Sequence, residues 1–171
     1  TKELLRTNRS GAYSSSTLTG CNTRKFHGHL VIPIPSIDND NHILLSSLDE
    51  TIIQHGAEFN LGVHEYEGGH FSPNGHKYIR EFKCEVIPST IYRVGGVIIS
   101  KEQLMVANES RVITKYTLLQ AHSATTIRFK PFLAFRSVHS LSKANDMANT
   151  DAQNAKKGAA YRLYENRSEE H

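Results

Sequence analysis

Tryptophan is absent from the 171 residues, and cysteine occurs only at Cys21 and Cys84. One conceivable pair is no disulfide framework, so both thiols are expected to stay reduced in a cytoplasmic protein. No apolar run approaches the ~18 residues that a membrane span needs. The opening Thr-Lys-Glu-Leu-Leu-Arg-Thr-Asn has no apolar signal core. It also lacks a starting Met, and an upstream segment is expected. Charge of one sign is scarce: 20 Lys and Arg against 17 Asp and Glu leave +3, spread without a like-charged block. That balance is too thin for a nucleic-acid footprint. Gly11, Gly20 and Gly28 lie too far apart to cradle a phosphate, and no Gly-x-Ser-x-Gly elbow exists. Asn-x-Ser triplets at Asn8, Asn108 and Asn166 match the glycosylation pattern, which carries no weight without a secretion signal.

β-formers are what the chain does have. Val, Ile, Thr, Tyr and Phe make up 47 of the 171 residues, and a domain of this length buries roughly 70% of its unfolded surface. Strands are predicted over 26–34, 43–48 and 51–54, the first ended by Pro33 and Pro35, which cannot donate to a ladder. The clearest hairpin joins 89–94 to 97–100 through Gly95-Gly96, a two-residue turn that needs positive φ. Further strands are predicted at 104–106, 112–119 and 125–135. Short polar turns between them argue for an all-β, antiparallel β-sandwich. Residues 140–166 are polar and read as an irregular excursion before a strand resumes at 161–164. The chain then stops at His171 without an obvious domain end, as a fragment would.

Ten histidines invite a metal reading. His64 and His70 are six apart with Gly68-Gly69 between them, whereas a zinc-protease helix needs two His four apart. Solvated loop histidines are the simpler account, and no metal or cofactor is expected. Paired carboxylates would mark sugar chemistry. Asp49 and Glu50 are adjacent, so on a strand they point to opposite faces. Glu65 and Glu67 would share a strand face roughly 6.5 Å apart, but two neighbours on one strand cannot flank a glycosidic bond from opposite sides. No catalytic residue is assigned. The long polar run 7–28 is either an ordered loop whose Ser, Thr and Asn satisfy their own backbone, or a surface whose hydroxyls, amides, Arg24 and His27 bind sugar hydroxyls. Arg136 and His139 close the last long strand with similar chemistry.

Collinear motifs then give a resemblance. Thr7, Asn8, Gly11, Tyr13, Ser15, Ser16, Thr17, Gly20, Asn22, Thr23, Arg24, His27, Gly28, Leu30 and Val31 match an opening signature. Leu44 to Thr51, Glu65-Tyr66 with Gly68-Gly69, and Tyr92 to Val97 follow in order. Lys130-Pro131, Ala134-Phe135-Arg136 and His139-Ser140-Leu141 complete the set. Together they resemble the N-terminal domain of bacterial and archaeal-type glycogen debranching enzymes. Arg9-Ser10 and Ala12 depart from family glycines, Phe26 from Tyr, and His29 from Leu.

The resemblance implies a mutarotase-like supersandwich over residues 1–171, preceding an (α/α)6 barrel that carries the catalytic carboxylates. It implies removal of α-1,6 branch points of glycogen by glucan transfer and hydrolysis, with this piece inactive alone. The partners implied are that barrel and an α-glucan, with no nucleic acid and no membrane. Asn22, Thr23, Arg24 and His27 are expected on the face turned to the barrel, with Arg136 and His139 nearby. Alternatively, Arg24 and His139 only brace loops. Two other readings are a stand-alone glycan-binding module, which the lack of Trp weakens, and an aldose mutarotase-like isomerase, which rests on fold analogy.

Overall fold

The computed structural model describes residues 2–141, 149 and 151–161. Among them, strands and one 3-10 turn form an all-β architecture in which every strand pair is antiparallel. The strands are β1 (Glu3–Thr7), β2 (Tyr13–Thr17), β3 (Gly28–Pro33), β4 (Asn41–Gln54), β5 (Ala57–Asn60), β6 (His64–Tyr66) and β7 (His70–Ser72). After the 3-10 turn (Gly75–Tyr78) come β8 (Ile79–Cys84), β9 (Pro88–Val94), β10 (Val97–Met105), β11 (Val112–Gln120), β12 (Thr126–Ser137), β13 (Ala152–Ala155) and β14 (Gly158–Tyr161).

Two sheets carry the fold. The first has the order β1-β2-β3-β4-β12 with β5 also on β4, and the second β11-β10-β9-β8. Ile52 of β4 meets Tyr92 and Val94 of β9 and Val97 and Ile99 of β10 in the apolar core between them. This core follows from alternation: on β9 the buried Thr90, Tyr92 and Val94 take every second position. A smaller cluster of Val31, Ile43 and Val138 closes the end near β3 and β12. Both central residues of the β9–β10 turn have positive φ, +55° at Gly95 and +81° at Gly96, as a two-residue hairpin requires.

Four details differ from the sequence reading. The polar run 7–28 is not all loop, because Tyr13–Thr17 is a strand paired on both sides. Its one buried serine, Ser14, tolerates burial because the other sheet bonds it: Gln103 donates to the Ser14 hydroxyl. The two strands expected at 43–48 and 51–54 are one 14-residue β4, unbroken because Asp49 and Glu50 each find a cationic or histidine partner. In the region read as an irregular excursion, Ala152–Ala155 pairs with Gly158–Tyr161, and residues 162–164 of the expected strand lie outside the described residues. Glu67 also lies in the turn after β6, so it shares no strand face with Glu65.

The segment after β5 is seated by glycine. A Cβ at Gly75 would lie 2.1 Å from the Leu61 carbonyl carbon and oxygen, while the Gly75 N–H donates to the Gly62 carbonyl at 3.0 Å. Both contacts are backbone, which has no rotamer to yield. Gly75→Ala should therefore cost about 3 kcal/mol, the upper end for overpacking. Equilibrium urea unfolding checks this, and a loss below about 0.5 kcal/mol would show that the segment shifts freely.

Candidate functional site

The loop between β2 and β3 carries four of the six residues singled out from sequence. Asn22 turns inward, its amide donating to the Ser46 carbonyl at 2.8 Å. That bond fills a gap in the first sheet: β3 pairs β4 at residues 41–45 and β5 pairs it from Thr51. The Thr23 N–H donates to His27 Nδ1 at 3.0 Å. His27 is buried, with Nε2 lying 3.7 Å from Glu3 Oε2. Because Nδ1 accepts, the neutral ring carries its proton on Nε2. Burial pushes the His27 pKa down, against the pull of Glu3. Arg24 is 58% exposed and donates through Nε to Glu3 Oε1 at 2.6 Å. This bond holds the Glu3 carboxyl below its usual range.

The far end of β12 locks the same loop. Arg136 Nη2 donates to the Lys25 carbonyl at 2.9 Å and Nη1 to the Ser140 carbonyl at 2.7 Å. The Tyr13 hydroxyl donates to the next carbonyl, that of Phe26, at 3.1 Å. Thus Lys25 and Phe26 are fixed through their backbone while their side chains stay exposed. His139 is not drawn in. It is 70% exposed and faces Asp40, 3.6 Å away, at the turn between β3 and β4. The structure therefore joins Asn22, Thr23, Arg24, His27 and Arg136 into one braced loop and leaves His139 apart.

A second group, missed in the sequence, lies between the sheets. Lys101 Nζ sits 2.6 Å from Glu50 Oε1, which also accepts from the Tyr116 hydroxyl. His29 Nε2 pairs with Thr114 Oγ1 at 3.2 Å. On the opposite face of β4, Asp49 holds His64 at 2.8 Å, and a Cβ on Gly62 would come within 2.6 Å of the Asp49 carboxyl. Neither buried carboxylate is available to a substrate as a free acid–base pair, since each is already bonded and they face opposite ways. A cleft of about 60 Å³ opens beside Glu50 and Lys101, with Ser14, Ser16, Asn22 and His29 in its wall. The available signal was an acidic pair set inside β4, with Ile43 before it and Ile52 after. In a strand buried on both faces such charges need partners.

A profile described as glycogen debranching enzyme N terminal matches residues 2–171. The chain belongs to this family. Searches among curated proteins and solved structures gave no match. In this debranching-enzyme N-terminal region the matched signature residues are those that hold the loop: Tyr13 bonds Phe26, Asn22 bonds Ser46, and His27 bonds Thr23. Phe26, where the signature has Tyr, keeps an outward ring, 47% exposed. Both cysteines of the debranching-enzyme region are free, Cys21 buried and Cys84 exposed. Among the described residues no helix is long and apolar enough to cross a membrane.

Proposed function

We propose that this region is the non-catalytic part of a cytoplasmic glycogen debranching enzyme, packing on a catalytic barrel of the same chain and helping to bind α-glucan. The observation that carries this reading is the braced loop. Three backbone or side-chain anchors from β1, β2 and β12 hold it rigid, and Arg24, Lys25 and Phe26 point outward from it. A rigid loop presenting donors and an aromatic ring binds a flexible polysaccharide at low ordering cost. The two buried carboxylates, Glu50 held by Lys101 and Asp49 by His64, support a binding role over a hydrolytic one. His139, three residues on from the Arg136 anchor, turns toward Asp40 instead.

The test uses the full-length enzyme. Arg24→Ala should lower kcat/KM on a branched dextrin by about tenfold, with unchanged kcat/KM removing Arg24 from the site. The 171-residue region alone should show little retardation in a glycogen affinity gel. Strong retardation would favour a stand-alone glycan-binding module, and catalysed anomer exchange in polarimetry would favour a mutarotase-like isomerase.

A further inference from the structure

The space between the sheets holds hydrogen-bonding capacity that the protein leaves unused. Glu50 Oε1 takes both Lys101 and Tyr116, while Oε2 accepts from none of the described residues. An ammonium offers three N–H donors, and Lys101 spends one on Glu50. Tyr92, 6% exposed, lines the same space. Lys101 nevertheless keeps 19% of its side chain accessible. Two clefts of about 60 Å³ each reach it from different sides and share Ser16, Tyr92, Lys101 and Gln103 as a wall.

The chemistry of that wall selects a ligand class. An anion would meet Glu50 and a cation would meet Lys101, so a neutral molecule fits best. A carboxylate oxygen beside an ammonium suits a vicinal diol: one hydroxyl donates to Oε2 while its neighbour accepts from Nζ. A water occupies about 30 Å³ of liquid, so either cleft admits a few heavy atoms, the edge of a sugar ring but not the whole ring. In an α-1,4-linked glucan each unit uses its 1- and 4-oxygens in glycosidic bonds and keeps adjacent free hydroxyls at carbons 2 and 3, so such a diol edge is presented along the chain. We propose that the cleft beside Glu50 and Lys101 receives the vicinal 2- and 3-hydroxyl edge of a glucose unit of an α-glucan chain. Asn22 and Gly20 stand in the same wall, so the rest of the chain would pass over the braced loop. This inference rests on the glucan-binding reading above.

Tyrosine provides separate reporters for the two. Tyr92 and Tyr116 border the Glu50–Lys101 pair, whereas Tyr13 is bonded to the loop through Phe26. With ring-13C tyrosine in the full-length enzyme, titrated maltotriose should shift Tyr92 and Tyr116. Ser16→Leu, a half-buried wall position whose hydroxyl bonds only its neighbour Thr17, should fill the cleft and weaken that response at least about tenfold. Movement of Tyr13 alone would overturn the cleft proposal and leave the glucan reading standing. Silence of all three rings would overturn both. Shifts at Tyr92 that persist undiminished in Ser16→Leu would also overturn the cleft proposal, because they would arise elsewhere.

Discussion

Lys101→Met is expected to destabilise the protein by about 3–5 kcal/mol, the cost of leaving one member of a buried ion pair without its partner. The partner is Glu50, whose side chain is 3% exposed and whose Oε1 lies 2.6 Å from Nζ. Tyr116 donates to the same oxygen but brings no charge; burial, and then the carboxylate, raise its pKa and keep it protonated. The double variant Glu50→Gln/Lys101→Met should recover most of the loss, since a well-filled neutral replacement of a buried pair is often near neutral. Urea unfolding of the wild type, both single variants and the double variant gives the coupling energy. Additive losses would mean that the two charges do not hold each other.

Alkaline pH probes the same pair. Burial pushes the Lys101 pKa down, but the Glu50 carboxylate outweighs it and the net direction is up. A lysine whose folded pKa is raised contributes fully below the ordinary lysine range. That contribution disappears as pH rises through the folded value.

Acidification should cost the protein up to about 3 kcal/mol through His29 alone, between roughly pH 6.5 and pH 4. Burial, with the Lys101 ammonium close by, lowers the His29 pKa to about 4. The unfolded chain takes up this proton near the usual histidine range while the folded protein resists it. Stability is therefore whole above that range and is lost as pH falls through it. His27, lowered by burial, adds in the same direction. The signature that this chain resembles has Leu where His29 stands. His29→Leu should flatten the acid limb and cost about 1 kcal/mol at pH 7 for the lost bond to Thr114. Melting temperatures of both proteins from pH 7 to pH 4 decide it, and parallel curves would remove His29 as the source.

Much of the fold could be read from residue order because its rules are local. Gly95-Gly96 between β-branched runs permits one turn type, and the hairpin forms at those residues. Strand β2 was illegible for the opposite reason. Tyr-Ser-Ser-Ser-Thr has no apolar alternation, and it becomes a strand because β1 and β3 pair with it on both sides and Gln103, from a distant part of the chain, bonds its buried Ser14. The candidate loop divided likewise. Its motif marked Asn22, Thr23, Arg24 and His27, but the reach of Arg136 across to Lys25, and the turning away of His139 toward Asp40, depend on where β12 ends in space.

By itself, the sequence determined the all-β class, the central hairpin and membership of the debranching-enzyme N-terminal family, because turn chemistry, alternation and collinear motifs are written in residue order. Only the tertiary structure decided which charges are neutralised. Glu50, Lys101 and Tyr116 lie far apart in the chain and meet because two sheets pack face to face. A buried charge is tolerable only where such packing brings it a partner.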